Sequence, residues 1–126
     1  MKRIVIAMAL LVGIFSACLA HSIYLSGFIR DLTVTLEQAE AKAEQEDWTG
    51  AKDLTQQAAE KWQKNSTYLH ILLRHSDTDQ VYTGFGEVKE FIQCQEGGEY
   101  SAANARLIAQ LTLLAEAEQL TLKNVL

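Results

Sequence analysis

The stretch Asp47-Trp48-Thr49-Gly50-Ala51-Lys52-Asp53-Leu54, running on through Ala58 to Trp62, decides how this chain is read. An aspartate ahead of a helical pattern is a good N-cap, because its carboxylate accepts hydrogen bonds from backbone N–H groups that the first turn leaves unpaired. Ala51, Leu54, Ala58 and Trp62 recur at spacings of three and four, so they share one helical face. Small residues on that face let a neighbouring helix come close, and Trp62 closes its far end. The pattern predicts an αα-hairpin turning at Asp47. It speaks of packing and not of chemistry.

Upstream of the turn, Ile29, Leu32, Leu36, Ala39 and Ala43 keep the same spacing, while Glu37, Glu40 and Glu44 take outer positions. The predicted helix ends near Gln45-Glu46. No breaker separates it from an apolar leader after Lys2-Arg3, so one continuous helix is expected. No Asp, Glu, Lys or Arg occurs in the 26 residues from Ile4 to Ile29. As a helix these span about 39 Å at roughly 1.5 Å per residue. That is enough to cross a hydrocarbon core of about 30 Å with some tilt. Positive residues on the short N-terminal side place that end in the cytoplasm. The expectation is a membrane anchor over residues 1–29 and an extracytoplasmic helical domain over 30–126, in a single-pass protein of the cytoplasmic membrane. Two processed forms compete with an uncleaved anchor. Cys18-Leu19-Ala20 offers a small-x-small cleavage site. Phe15-Ser16-Ala17-Cys18 resembles a degenerate lipobox with Cys18 as the acylated residue.

Downstream, the stripe continues to Leu69 and Leu72 or Leu73, and Asn65 falls on it. One long helix from Trp48 to about His75, kinked at Asn65, is the preferred reading, and a stop at Lys64 is the alternative. Ser76-Asp77-Thr78-Asp79 suits a turn and a new N-cap. Val81, Phe85, Val88 and Ile92 then form a 4-3-4 stripe, with Tyr82 and Phe91 beside it. Gly84 and Gly86 cost up to about 1 kcal/mol each against alanine inside such a helix. They either admit a neighbour's bulky ring or are plain weakness. Gly97-Gly98 opens a second turn, where Glu99, Tyr100, Ser101 and Ala103 echo Asp47, Trp48, Thr49 and Ala51 at an offset of 52. This suggests two related αα-hairpins stacked together. A last helix places Ala103, Leu107, Leu111 and Leu114 inward and is expected to fade at Glu116-Ala117-Glu118. The closing leucines, Leu120, Leu122 and Leu126, are expected to fold back over the bundle end.

Composition agrees with an all-α protein. Proline is absent, where usage of about 5% would supply roughly six, and β-branched residues show no clean alternation. From Asp31 onward there are 8 basic and 16 acidic side chains, a formal charge of −8. An acidic domain repels phosphate backbones, so no nucleic acid partner is expected. The expected partners are the membrane, through the N-terminal helix, and another envelope or membrane protein. Cys18 and Cys94 lie in different parts of the chain and are expected to stay unpaired.

A search for chemistry finds packing and solvated faces. His70 and His75 are five apart, about 140° around a helix, so they do not converge on a metal. No G-x-S-x-G elbow, G-x-x-x-x-G-K or G-x-G-x-x-G occurs. Trp48, Trp62, Tyr68 and Tyr100 read as core at helical spacing, with Tyr68 furthest off the stripe and therefore the best exposed candidate. No catalytic, cofactor-binding or metal-binding residue is assigned. No cofactor is expected, and the protein is not expected to be an enzyme. The expected function is a membrane-anchored interaction module. A small-molecule-binding or sensor domain of the envelope is the alternative.

Several of these pieces together resemble one family. They are the basic start with its apolar helix, Asp47-Trp48 with Ala51 and Leu54, the Glu60-Lys61-Trp62 step, His75 before an acidic turn, and the ending Leu120-Thr121-Leu122-Lys123-Asn124-Val125-Leu126. The chain is similar over nearly its whole length to the small bacterial domain of unknown function 4363 family, found mainly in Firmicutes. The resemblance implies one N-terminal membrane helix with a helical domain outside and no established activity.

Overall fold

A computed structural model describes residues 1–72 and 75–125, with side chains described at all of these except 70, 72, 75 and 121–125. Five helices succeed one another: α1 (Lys2–Glu44), α2 (Trp48–Lys64), α3 (Ser66–Leu72), α4 (His75–Cys94) and α5 (Gly97–Val125). There is no strand among the described residues. The chain is all-α, as the proline-free, three-and-four-spaced sequence predicts.

α1 packs on α2 and α5, α5 also on α4, and α4 also on α2. Tight turns join α1 to α2 and α4 to α5, so every neighbour in this ring is antiparallel. The result is an up-down-up-down four-helix bundle made of two αα-hairpins, with α3 at its base touching α2 and α4. The inward faces are the predicted stripes. Ile29, Leu32, Leu36, Ala39 and Ala43 of α1 are buried against Ala51, Ala58 and Trp62 of α2. Val81, Phe85, Val88 and Ile92 of α4 close on Ala103, Leu107, Leu111 and Leu114 of α5. A fully buried leucine contributes roughly 1.5–3 kcal/mol relative to an exposed one. On α2 the stripe is rotated slightly: Thr55 is buried and Leu54 only half so.

α1 is 43 residues long and unbroken. Its first part, residues 1–20, is exposed on every side. The core takes hold at Leu25, Phe28 and Ile29, inside the apolar stretch that began at Ile4. That stretch therefore divides into a bare rod and the first turns of the core. By length and composition α1 is the one helix, among the described residues, able to cross a membrane.

Three expectations need correction. The helix from Trp48 stops at Lys64 and does not run to His75. Asn65 ends it by turning its side chain back on the backbone: Nδ2 donates to the Lys61 carbonyl at 3.0 Å, and the Asn65 N–H bonds to Trp62 O at 3.2 Å. A short polar side chain competes in this way with helix continuation. The new helix starts at His75, so Ser76–Asp79 forms its first turn instead of a separate loop. Finally, α5 neither fades at Glu116–Glu118 nor folds back. It continues to Val125, as befits a run of Ala, Glu, Gln, Leu and Lys, all good helix formers. Leu73 and Leu126, and the side chains of His70, Leu72, His75 and Leu122, lie outside what is described.

Candidate functional site

Where the bare rod of α1 becomes part of the bundle, five polar and aromatic side chains from three helices and the α2–α3 junction meet. His21 and Tyr24 lie three apart on one face of α1. The antiparallel hairpin brings α3 and the α2–α3 junction opposite them. Nδ1 of His21 is hydrogen-bonded to the Tyr68 hydroxyl, and the two rings meet edge to face at 5.7 Å. The Tyr24 hydroxyl donates to Oδ1 of Asn65 at 3.0 Å, so both ends of that amide are used. Tyr24 also meets Tyr68 edge to face at 5.8 Å and stacks on Phe28, which in turn stacks on Trp62. From α5, Glu118 places a carboxylate 3.6 Å from Nε2 of His21, an ion pair whenever the imidazole is protonated. Partial burial, with Tyr24 and Glu118 nearby, raises the Tyr68 hydroxyl above its usual range, so it is a neutral hydrogen-bonding group.

This arrangement is a clasp that ties the emerging rod to α3 and α5. Among the described residues no group of three or more His, Cys, Asp or Glu side chains is placed to hold a metal ion.

A second polar feature lies inside the distal half. Tyr100 and Asn104, one turn apart on α5, and Thr55 on α2 are all buried. Nδ2 of Asn104 donates to the Leu36 carbonyl at 3.1 Å. Its Oδ1 and the hydroxyls of Tyr100 and Thr55 lack a hydrogen-bond partner. Thr55 lies close enough to Tyr100 to favour the phenolate slightly, without the alignment of a hydrogen bond. Burial dominates and, with Glu40 nearby, pushes the Tyr100 hydroxyl up to about 12. Tyr100 also packs edge to face on Trp48 at 5.7 Å.

The distal end itself is an open cleft of about 640 Å³ lined by Ala43, Glu44, Asp47, Trp48, Gln95 and other residues of the two turns. Cys94 stands beside it, exposed and unpaired. Partial desolvation and the carboxylates of Glu90, Glu96 and Glu99 push its thiol up, the opposite of what a reactive thiolate needs. The nearby Glu96 carboxyl is also raised, by its hydrogen bond with Glu99 and their mutual repulsion.

Of the aromatics singled out in the sequence, Trp62 and Tyr100 are core and Trp48 is half-buried. Tyr68 is exposed as expected but engaged in the clasp. Tyr82 is more open, at 72%. The clasp was missed as a unit, although a signal for it exists. A hairpin centred near Gln45-Glu46 sets Tyr24 opposite residues near 66 and His21 opposite residues near 69.

The clasp and the bundle both fall within a known family. The family model described as Domain of unknown function (DUF4363) matches residues 19–125. The chain belongs to this family. The match opens two residues before His21 and so takes in the clasp and the whole bundle. No curated protein and no solved structure matches the chain.

Proposed function

We propose that this family member is a membrane-anchored, non-catalytic interaction module. α1 crosses the cytoplasmic membrane with Lys2 and Arg3 inside, and the bundle stands on the outer side. The observation that supports it most is the bare rod: Ile4–Ala20 is apolar, exposed all round, and rigidly continuous with a packed bundle. A helix hydrophobic on every face is stable when a neighbour or lipid surrounds it. Two carboxylates of the bundle sit in ordinary surface pairs, Glu87 with Arg106 at 2.8 Å and Asp31 with Lys61 at 3.1 Å. The α2–α4 seam is open in two clefts of about 370 and 360 Å³, with Lys89 lining both and Tyr82 lining the second. A partner protein would engage here.

The topology is tested by thiol labelling of Cys94 in spheroplasts. At mildly alkaline pH, where enough of the raised thiol ionises, a membrane-impermeant maleimide is expected to react with Cys94 before lysis, in material that resists carbonate extraction. Labelling only after lysis would reverse the orientation. Interaction is tested by a photo-crosslinking residue at position 82 of the full-length protein in cells. Adducts with a discrete protein are expected, and recovery of monomer only would count against a partner on that face.

A further inference from the structure

The bare rod is short for its task. Seventeen residues, Ile4–Ala20, are exposed before His21 becomes half-buried. They measure about 26 Å at 1.5 Å per residue, against a hydrocarbon core of about 30 Å. A span that short holds the next turns of the chain at the lipid boundary. Those turns belong to the base of the bundle, which is ringed by apolar and aromatic side chains left open: Ile23 and Tyr24 on α1, Tyr68 and Ile71 on α3, and Leu120 on α5. Ile71 is 77% exposed and Leu120 59%, and what distinguishes them is their grouping at one end of the bundle. Tyrosine has the amphipathic ring that suits the headgroup layer.

α5 points the same way. Ser101 meets Glu40, Asn104 meets Leu36 and Glu118 meets His21, so α5 descends α1 in a constant antiparallel register. It continues seven residues past Glu118 to Val125, about 10 Å further at the helical rise, toward the level of the bare rod.

We propose that the base of the bundle is itself a lipid-contacting surface, seated in the headgroup layer of the bilayer that α1 crosses, with the end of α5 reaching the same layer. The bundle is held to the membrane by this seat as well as by its anchor, and so keeps a fixed tilt and height. The open side chains around the polar clasp are apolar or aromatic, and the bundle carries a formal charge of −8, so salt does not release the seat. The inference rests on the transmembrane reading of α1.

The test is spin-label accessibility in the full-length protein, reconstituted into vesicles of phosphatidylethanolamine and phosphatidylglycerol. A Cys18→Ala, Cys94→Ser background receives a single label at Ile71→Cys or Leu120→Cys. Tyr82→Cys serves as the aqueous control and Leu11→Cys as the mid-span control. The Ile71 and Leu120 labels are expected to show an oxygen-to-nickel-chelate accessibility ratio several-fold above the Tyr82 label and below the Leu11 label, unchanged by high salt. If both read like Tyr82 while Leu11 reads as hydrocarbon, the seat is overturned and the anchor stands. If Leu11 is also aqueous, anchor and seat fall together. If both base labels are shielded from oxygen and nickel alike, a protein covers the base and the proposal is wrong. Both residues are exposed, so the substitutions leave the fold intact, which circular dichroism checks.

Discussion

Gly84 and Gly86 share a helix and behave as opposites. A Cβ built on Gly84 would lie 2.9 Å from Cδ1 of Leu107 and 3.3 Å from Oε1 of Gln110, whereas one on Gly86 meets nothing within 4 Å. Gly84 therefore admits a leucine from α5, not a ring, and Gly86 is plain weakness. Gly86→Ala is expected to raise stability by about 0.5–1 kcal/mol, the ordinary helix-interior gain. Gly84→Ala gains less or loses, because buried Leu107 must move; urea midpoints of the two variants make the comparison. In the sequence both glycines look equally awkward, since what distinguishes them is a side chain on another helix. Tyr100 is the other residue with a measurable signature. Its hydroxyl is pushed up to about 12, against about 10 in an unfolded chain. A raised acid favours the neutral form in the folded state, so its contribution is complete below pH 10 and is lost as pH rises toward 12. About two units correspond to roughly 3 kcal/mol. Stability is thus expected to fall across pH 10–12, and Tyr100→Phe should abolish that component while costing little at neutral pH, because the hydroxyl it removes has no partner.

Helix ends explain more of the bundle than helix interiors do. Glu46 and Gln95 both take positive φ, 61° and 55°, at the ends of α1 and α4. In each turn the next N–H reaches back five residues, Asp47 to Lys42 O and Glu96 to Phe91 O, and the left-handed residue bonds three back. This is the Schellman pattern, which glycine usually serves. The two turns are thus equivalent at an offset of 49, not the 52 that the sequence echo suggested. The difference of three is nearly one helical turn, so the echoed residues still share a face, and Trp48 and Tyr100 come to touch. That is why the stacked hairpins were legible and their alignment was not. Glu46→Gly and Gln95→Gly are each expected to stabilise by roughly 0.5–1 kcal/mol, the relief of a left-handed side chain less the freedom glycine adds to the unfolded chain. Asp47 was legible outright: its Oδ1 accepts from Gly50 N–H at 3.0 Å. Asp47→Ala should cost about 1 kcal/mol, read from thermal unfolding. Asn65 was visible as a suspect, but hydrophobic phase alone cannot show that its amide is satisfied by Lys61 O and Tyr24, which makes the break stable.

At the scale of the whole molecule the decisive question is where the rod ends and the bundle begins. Charge places that boundary at Arg30, the first charged residue after Arg3. Packing places it nine residues earlier, because Leu25, Phe28 and Ile29 carry no charge yet are buried, and His21 is already clasped. Composition cannot separate an apolar residue that faces lipid from one that faces a core; only the partner helices do. The two boundaries predict different behaviour on truncation. A chain starting at Leu19, with a new initiator methionine, loses no buried side chain and should fold to a soluble helical bundle. Its stability should be within about 0.5 kcal/mol of the detergent-solubilised full chain, as for changes confined to exposed sites. A chain starting at Arg30 loses three core side chains and the clasp. Each large core deletion costs about 2–5 kcal/mol, and a small domain has only about 5–15 in all, so this chain should be unfolded or molten at room temperature. Far-UV circular dichroism and urea unfolding of the two fragments make the measurement. Equal cooperativity in both would mean that the first turns of the core contribute nothing, and that the bundle is a unit independent of its rod.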